Sequence, residues 1–156
     1  MSSAVTCRVA VGTDDLEACF AVRKEVFVVE QRVPEDLEYD AYDADAVHVI
    51  AVRDDGLPLG TGRLLTGAAA AAKNGGDAGV GALGRLAVTK AARGLGVGAA
   101  LVRAIEDAAR ARDLGAVDLH AQTHALGFYE RLGYEVYGPE FPDAGIPHRA
   151  MRKALV

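Results

Sequence analysis

The chain has 156 residues, 51% of them hydrophobic, and a formal net charge of −5. That length fits a single domain over residues 1–156, with apolar residues enough for a sizeable core. An acidic balance without clustered Lys and Arg argues against nucleic-acid partners, which are held by neutralising phosphates. No apolar run approaches the ~18 residues of a membrane span, so no membrane partner is expected. The opening MSSAVTCRVA lacks a charged segment followed by an apolar one, which makes a cytoplasmic protein the expectation. Cys7 and Cys19 read as core thiols, and no Cys/His cluster has zinc spacing, so no metal is implied.

Residues 5–11 alternate and read as a strand. Asp14 suits an N-cap with Glu17 three residues on, and Leu16, Phe20, Val22, Val26, Phe27 and Val29 follow at roughly helical spacing, so 14–29 reads as a helix. Residues 30–45 carry Glu30, Glu35, Asp36, Glu38, Asp40, Asp43 and Asp45 against the single Arg32. Such a run is either a solvated face or an acceptor site for a cationic molecule. Residues 46–53 and 57–65 flank Asp54-Asp55-Gly56 and predict a hairpin. Residues 67–81, GAAAAAKNGGDAGVG, read as a loop, the flanking glycines outweighing the helical preference of the alanines. Residues 83–88 read as a strand and lead into a glycine-rich turn. The helix after it has an apolar face of Val97, Ala100, Leu101, Ala104, Ile105 and Ala108. Gly115 ends that helix. A strand over 116–121, a short helix over 124–132 with Gly133 as C-cap, a strand over 134–137, a loop with Pro139, Pro142 and Pro147, and a last strand over 148–153 follow. The pattern is α/β with a mixed sheet, antiparallel early, with a parallel βαβ element around 83–121.

The turn Arg93-Gly94-Leu95-Gly96-Val97-Gly98 carries the chemistry. A helix N-terminus presents unpaired N–H groups and a partial positive charge, and glycines let an anion approach the backbone closely. A pyrophosphate fits there, and Arg93 adds a charged contact. A turn without a ligand is the plain alternative, set against the stability that three glycines cost at a helix start. A dinucleotide loop needs a different glycine spacing, and a phosphate loop of the Walker type needs a GK[ST] ending that is missing.

Arg93-x-x-Gly96-x-Gly98 matches the R/Q-x-x-G-x-G/A signature of the GNAT acetyltransferase superfamily, and Phe128-Tyr129-Glu130-Arg131-Leu132-Gly133-Tyr134 resembles its F-Y-x-x-x-G-F/Y segment. The run from Arg23 to Pro34, with Asp40, Asp43 and His48 after it, is similar to the ElaA-like (YjcF-like) subgroup, as is Gly145-Ile146-Pro147-His148-Arg149-Ala150-Met151. The resemblance covers nearly the whole chain and departs at 67–81, which is long for the subgroup. It implies the acyl-CoA N-acyltransferase fold of the superfamily, a twisted mixed sheet of about six to seven strands flanked by about four helices. It further implies acetyl-CoA as acyl donor and an amine acceptor, either a small molecule or a Lys side chain. Leu86, Ala87 and Val88 would run beside the pantetheine arm, with a backbone N–H near Ala87 or Val88 as oxyanion donor.

On the short helix Ala125, Phe128 and Leu132 share a face, and Tyr129 points about 100° away from it. The resemblance implies Tyr129 as the general acid, and this offset lets it face the cleft, with packing as its plainer role. From its place in the subgroup motif Glu30 is the expected general base, ahead of Glu25 and His48, with a helix-end carboxylate in solvent as its plainer role. His120, His124 and His148 are weaker, with structural roles more usual for lone histidines and His148 the most interesting of the three. A homodimer is common in such a family. A non-catalytic module that binds acyl-CoA is the alternative.

Overall fold

The computed structural model describes residues 4–155; residues 1–3 and 156 of the expected domain lie outside the described residues. Seven strands form one sheet in the order β1-β2-β3-β4-β5-β7-β6. β1 (Val5–Val9), β2 (Val47–Arg53), β3 (Pro58–Leu65) and β4 (Val80–Val88) pair antiparallel in sequence. β4 and β5 (Ala116–Gln122) run parallel, and β7 (Ile146–Ala154) and β6 (Glu135–Asp143) complete the sheet antiparallel. The early antiparallel part and the parallel crossover are as the pattern predicts.

The crossover helix α4 (Val97–Arg110) buries Val97, Leu101, Val102, Ile105, Ala108 and Ala109 in the main core. Its seat is prepared in β3. A Cβ at Gly60 would stand 2.8 Å from Leu101 Cδ1 and 3.0 Å from the Ala87 carbonyl, and one at Gly62 would stand 2.8 Å from Ile105 Cδ1. The helix therefore lies directly on the backbone of the sheet, where side chains would hold it off.

Three segments depart from the sequence pattern. The expected helix over 14–29 starts earlier, as α1 (Gly12–Arg23), and then widens into a π-helix over Lys24–Glu30. Asp14 is not its cap: Val11 occupies that position, and its N–H goes to the Asp15 carboxylate at 2.8 Å. The wide turn seats Val26 and Phe27 against Ala87 and ends with Glu30 and Gln31 at the mouth of a cleft. The alanine stretch is a helix, α3 (Gly67–Asn74), not a loop. Alanine propensity prevails because Ala70 docks fully buried beside Leu65 and Ala82. Gly75, at φ 87°, ends the helix, and the Asn74 amide pins the turn behind it to the Asp77 and Val80 carbonyls at 2.7 and 2.9 Å. The proline loop is mostly strand. Pro139 and Pro142 lie in β6, an edge strand, where a missing N–H costs little. Ala144 and Gly145, at φ 52° and 78°, make the tight turn into β7.

The acidic run is not simply a solvated face. Arg23 on α1 is 1% exposed. Its guanidinium donates to Glu38 Oε1 at 2.8 Å, to Asp43 Oδ1 at 2.7 Å and to the Glu38 carbonyl at 2.7 Å. Arg63 on β3 joins Asp40 and Asp43 at 2.7 and 2.9 Å. Burial pushes the Asp43 carboxyl up, but the two arginines outweigh it and hold the group at about 2. A single helical turn, α2 (Glu35–Glu38), and a 3₁₀ turn over Ala41–Ala44 are thereby fastened to the sheet. Replacing Arg23 with Met removes the buried cation that Glu38 and Asp43 share and leaves them only Arg85 and Arg63, a loss of about 3 kcal/mol. Urea unfolding of R23M is expected to read it as a lowered midpoint.

Candidate active site

β4 and β5 pair only over Val80–Leu83 and Ala116–Leu119, the last pair being Leu83 with Leu119. Beyond that pair the two strands part. β4 stays with β3 through a register shift between Thr61 and Arg63, and opposite that shift Arg85 takes a left-handed backbone, φ 53°. Such a conformation costs a non-glycine residue on the order of 1 kcal/mol or more. The side chain is held in place by the acidic segment, with Nε 3.1 Å from the Glu38 carbonyl and a terminal nitrogen 3.2 Å from Asp40 Oδ2.

The parted strands open a cleft of about 900 Å³. One end is the first turn of α4. Gly96 caps that helix in the left-handed region, φ 78°, where a Cβ would be strained, and no side chain bonds to the cap. Gly98 is needed for a different reason: its Cβ would press to 3.2 Å from the Phe128 ring. Gly94, Gly96, Val97 and Gly98 line the cleft, so the N-terminal N–H groups and the dipole of a fourteen-residue helix face it. Leu95 does not line the cleft; its side chain is 69% exposed.

Leu86, Ala87 and Val88 form one wall. The Thr89 N–H goes to the Leu59 carbonyl at 2.9 Å. Bonds in an antiparallel ladder alternate, so the Ala87 amide also points to β3 and the Val88 N–H and C=O point into the gap. The Val88 carbonyl there accepts from Arg93 Nε at 3.2 Å. Of the two oxyanion donors that the sequence left open, only Val88 faces the cleft.

Arg93 and Glu30 were expected at separate tasks, yet they meet. The Arg93 guanidinium donates to both Glu30 oxygens at 2.7 and 2.8 Å. That pairing holds the Glu30 carboxyl below its ordinary range, which makes it a poor proton acceptor and sets it at the anion end of the cleft. Next to it, Gln31 accepts from the Gln122 amide at 2.9 Å. The end of the π-helix thus ties both arms of the gap, the α4 turn through Glu30 and β5 through Gln31. Glu25 is exposed outside the cleft, and His48 is buried with Nε2 3.0 Å from the Asp43 carbonyl and does not line it.

Tyr129, on α5 (Leu126–Arg131), lines the cleft as its helical position predicts. It is buried against Phe128 and Tyr134, with ring centroids 4.9 and 5.9 Å away. Burial pushes its phenol well above the ordinary tyrosine range, so it stays protonated and can only donate. His120, His124 and His148 also line the cleft, and only His148 is buried. No local pattern singles them out, because their neighbours in space lie far off in the chain. Among the described residues, no cluster of three His, Cys, Asp or Glu could hold a metal, and no helix is long and apolar enough to cross a membrane.

A parallel pair that parts beside a helix N-terminus without a side-chain cap offers a free strand edge next to an anion site, and comparison with known proteins gives the family. The family model described as Acetyltransferase (GNAT) domain matches residues 11–155. The chain belongs to that family and is an N-acetyltransferase with an acyl-CoA donor. It is 38% identical over 146 residues to the uncharacterized N-acetyltransferase YjcF of Bacillus subtilis, covering 93% of this chain and 96% of that protein. A solved acyl-CoA N-acyltransferase from Pseudomonas aeruginosa is 35% identical with a TM-score of 0.78, over 98% of this chain and all of that one. Escherichia coli ElaA, at 24% identity, shares the fold, with a TM-score of 0.79 over 97% and 99% of the two chains.

The burial of Tyr129 has a direct readout. Its phenol is expected to stay un-ionised up to about pH 11, an ordinary tyrosine titrating near 10. Phenolate absorbance followed to that pH should show the same amplitude in the parent chain and in Tyr129→Phe.

Proposed function

We propose that the cleft holds acetyl-CoA with its pyrophosphate on the first turn of α4, and transfers the acetyl group to a primary amine on a small molecule or a Lys side chain. The observation that carries this reading is that the unpaired edge of β4 runs straight into that turn. An extended amide-bearing arm can lie along the first while an anion sits on the second. Arg93 exchanges Glu30 for a phosphate oxygen. The Val88 N–H receives the oxyanion as the amine adds to the thioester carbonyl. Tyr129 then gives its proton to the departing sulfur. A buried phenol is a weak acid in isolation, but an equally buried thiolate is a stronger base than in water, so desolvation acts on both partners.

Calorimetry with acetyl-CoA tests the donor, and thiol release with a panel of amines tests the reaction. Absence of binding near millimolar concentration would sink the reading. Tyr129→Phe is expected to lower kcat about 100-fold, with the acetyl-CoA Kd unchanged, by the same two assays. Glu30→Gln is expected to tighten CoA binding in calorimetry, because Arg93 no longer gives up a carboxylate to take a phosphate.

A further inference from the structure

We propose that His148 is the general base that takes the proton from the acceptor amine. This rests on the acyl-transfer reading above and supplies the base that Glu30, held by Arg93, is poorly set to be.

The first ground is the state of the ring. His148 Nδ1 lies 2.7 Å from the Ile146 carbonyl. A carbonyl oxygen can only accept, so Nδ1 carries the hydrogen and Nε2 of the neutral imidazole keeps its lone pair. The ring is buried and stacked on Phe141, with centroids 6.0 Å apart and planes at 27°. Phe141 is itself packed edge-on to His120 at 5.0 Å. The imidazole is therefore fixed in tautomer and in plane before any ligand arrives.

The second ground is position. His148 and Gln122 are direct partners in the β5–β7 ladder, and partners in an antiparallel ladder project to one face. The Gln122 side chain reaches Gln31 at the end of the π-helix, so that face is the one towards the cleft mouth. Three residues past the last parallel pair, Leu83 with Leu119, are Leu86 on β4 and Gln122 on β5. His148 stands one strand beyond Gln122, level with Leu86 by this count, and it lines the cleft.

The titratable and charged groups on the elements packed around it are Asp118 and His120 on β5, His124 in the turn after it, Glu135, Tyr137, Glu140 and Asp143 on β6, and Arg149, Arg152 and Lys153 on its own strand. His124 is exposed and bonded to Gln122. His120 Nε2 is directed towards Asp118 at 4.0 Å. Among the three cleft histidines, His148 alone combines burial with a backbone carbonyl that fixes its tautomer.

The protons balance. The acceptor ammonium gives one proton to Nε2, from which it passes to solvent. The amine lone pair adds to the thioester carbonyl, and the C–S bond breaks as the tetrahedral intermediate collapses. Sulfur takes the phenolic proton of Tyr129, and the new amide nitrogen sheds its second proton to restore the phenol.

His148→Asn keeps an N–H for the Ile146 carbonyl and removes Nε2. With acetyl-CoA and whichever amine releases thiol fastest, its kcat is expected to fall about 100-fold. Its acetyl-CoA Kd should stay unchanged, the acid limb of the kcat–pH profile should vanish, and added imidazole should restore part of the rate. Glu30→Gln should keep that limb. Retention of rate and limb in His148→Asn, or transfer of the lost limb to His120→Gln, overturns the assignment while acyl transfer stands. Failure of the parent chain to bind acetyl-CoA removes both. Should His148→Asn not fold, ¹⁵N spectra of the parent protein decide: the Nδ1–H tautomer supports the assignment, and the Nε2–H tautomer overturns it.

Discussion

Arg23 has almost no contact with water, and an arginine cannot shed its charge to suit an apolar site. Its positive charge has to be matched by carboxylates brought to it. Glu38 and Asp43 come from the following segment, and Asp43 also serves Arg63 on the neighbouring strand. The chain between the π-helix and β2 is thereby folded onto the sheet by charge neutralisation more than by apolar contact. The same carboxylate segment holds Arg85, whose left-handed backbone lies where β4 leaves β5. The opening in the sheet and the wall beneath it thus depend on one buried network of three arginines and three carboxylates.

Within that frame the cleft has two chemically distinct ends. The α4 end offers backbone N–H groups, a helix dipole and Arg93, all suited to an anion. The β5–β7 end offers histidines, Gln122 and an aromatic spacer, suited to taking a proton from an ammonium group. Tyr129 stands at the wall between them, buried and protonated. The π-helix closes the loop of this arrangement by touching both arms through adjacent residues, Glu30 and Gln31.

Much of this was legible in the chain because it is local. Strand periodicity, the apolar stripe of α4, the glycine spacing of its turn and the 100° offset of Tyr129 from Phe128 are properties of short windows, and each appears where the pattern set it. What was not legible depends on distance. Glu30 and Arg93 are 63 positions apart, and no local rule pairs them, so the sequence pattern assigns them separate tasks. The acidic run admits both a solvated face and an acceptor site because its arginine partners lie on α1, β3 and β4. The alanine segment looked like a loop until Ala70 found a buried seat, and the prolines of β6 looked like a break until their strand proved to be an edge. His148 shows its tautomer only once the turn behind it brings the Ile146 carbonyl to its ring.

Gly60 and Gly62 do not line the cleft, yet they set how deeply α4 sinks onto the sheet. The helix end that faces the cleft is therefore referenced to the strands beneath it, as a probe tip is referenced to its mount. Because that mount is bare backbone, it has little of the rotamer freedom by which side-chain packing absorbs small displacements. The placement of that helix end is written in β3, in residues that do not line the cleft.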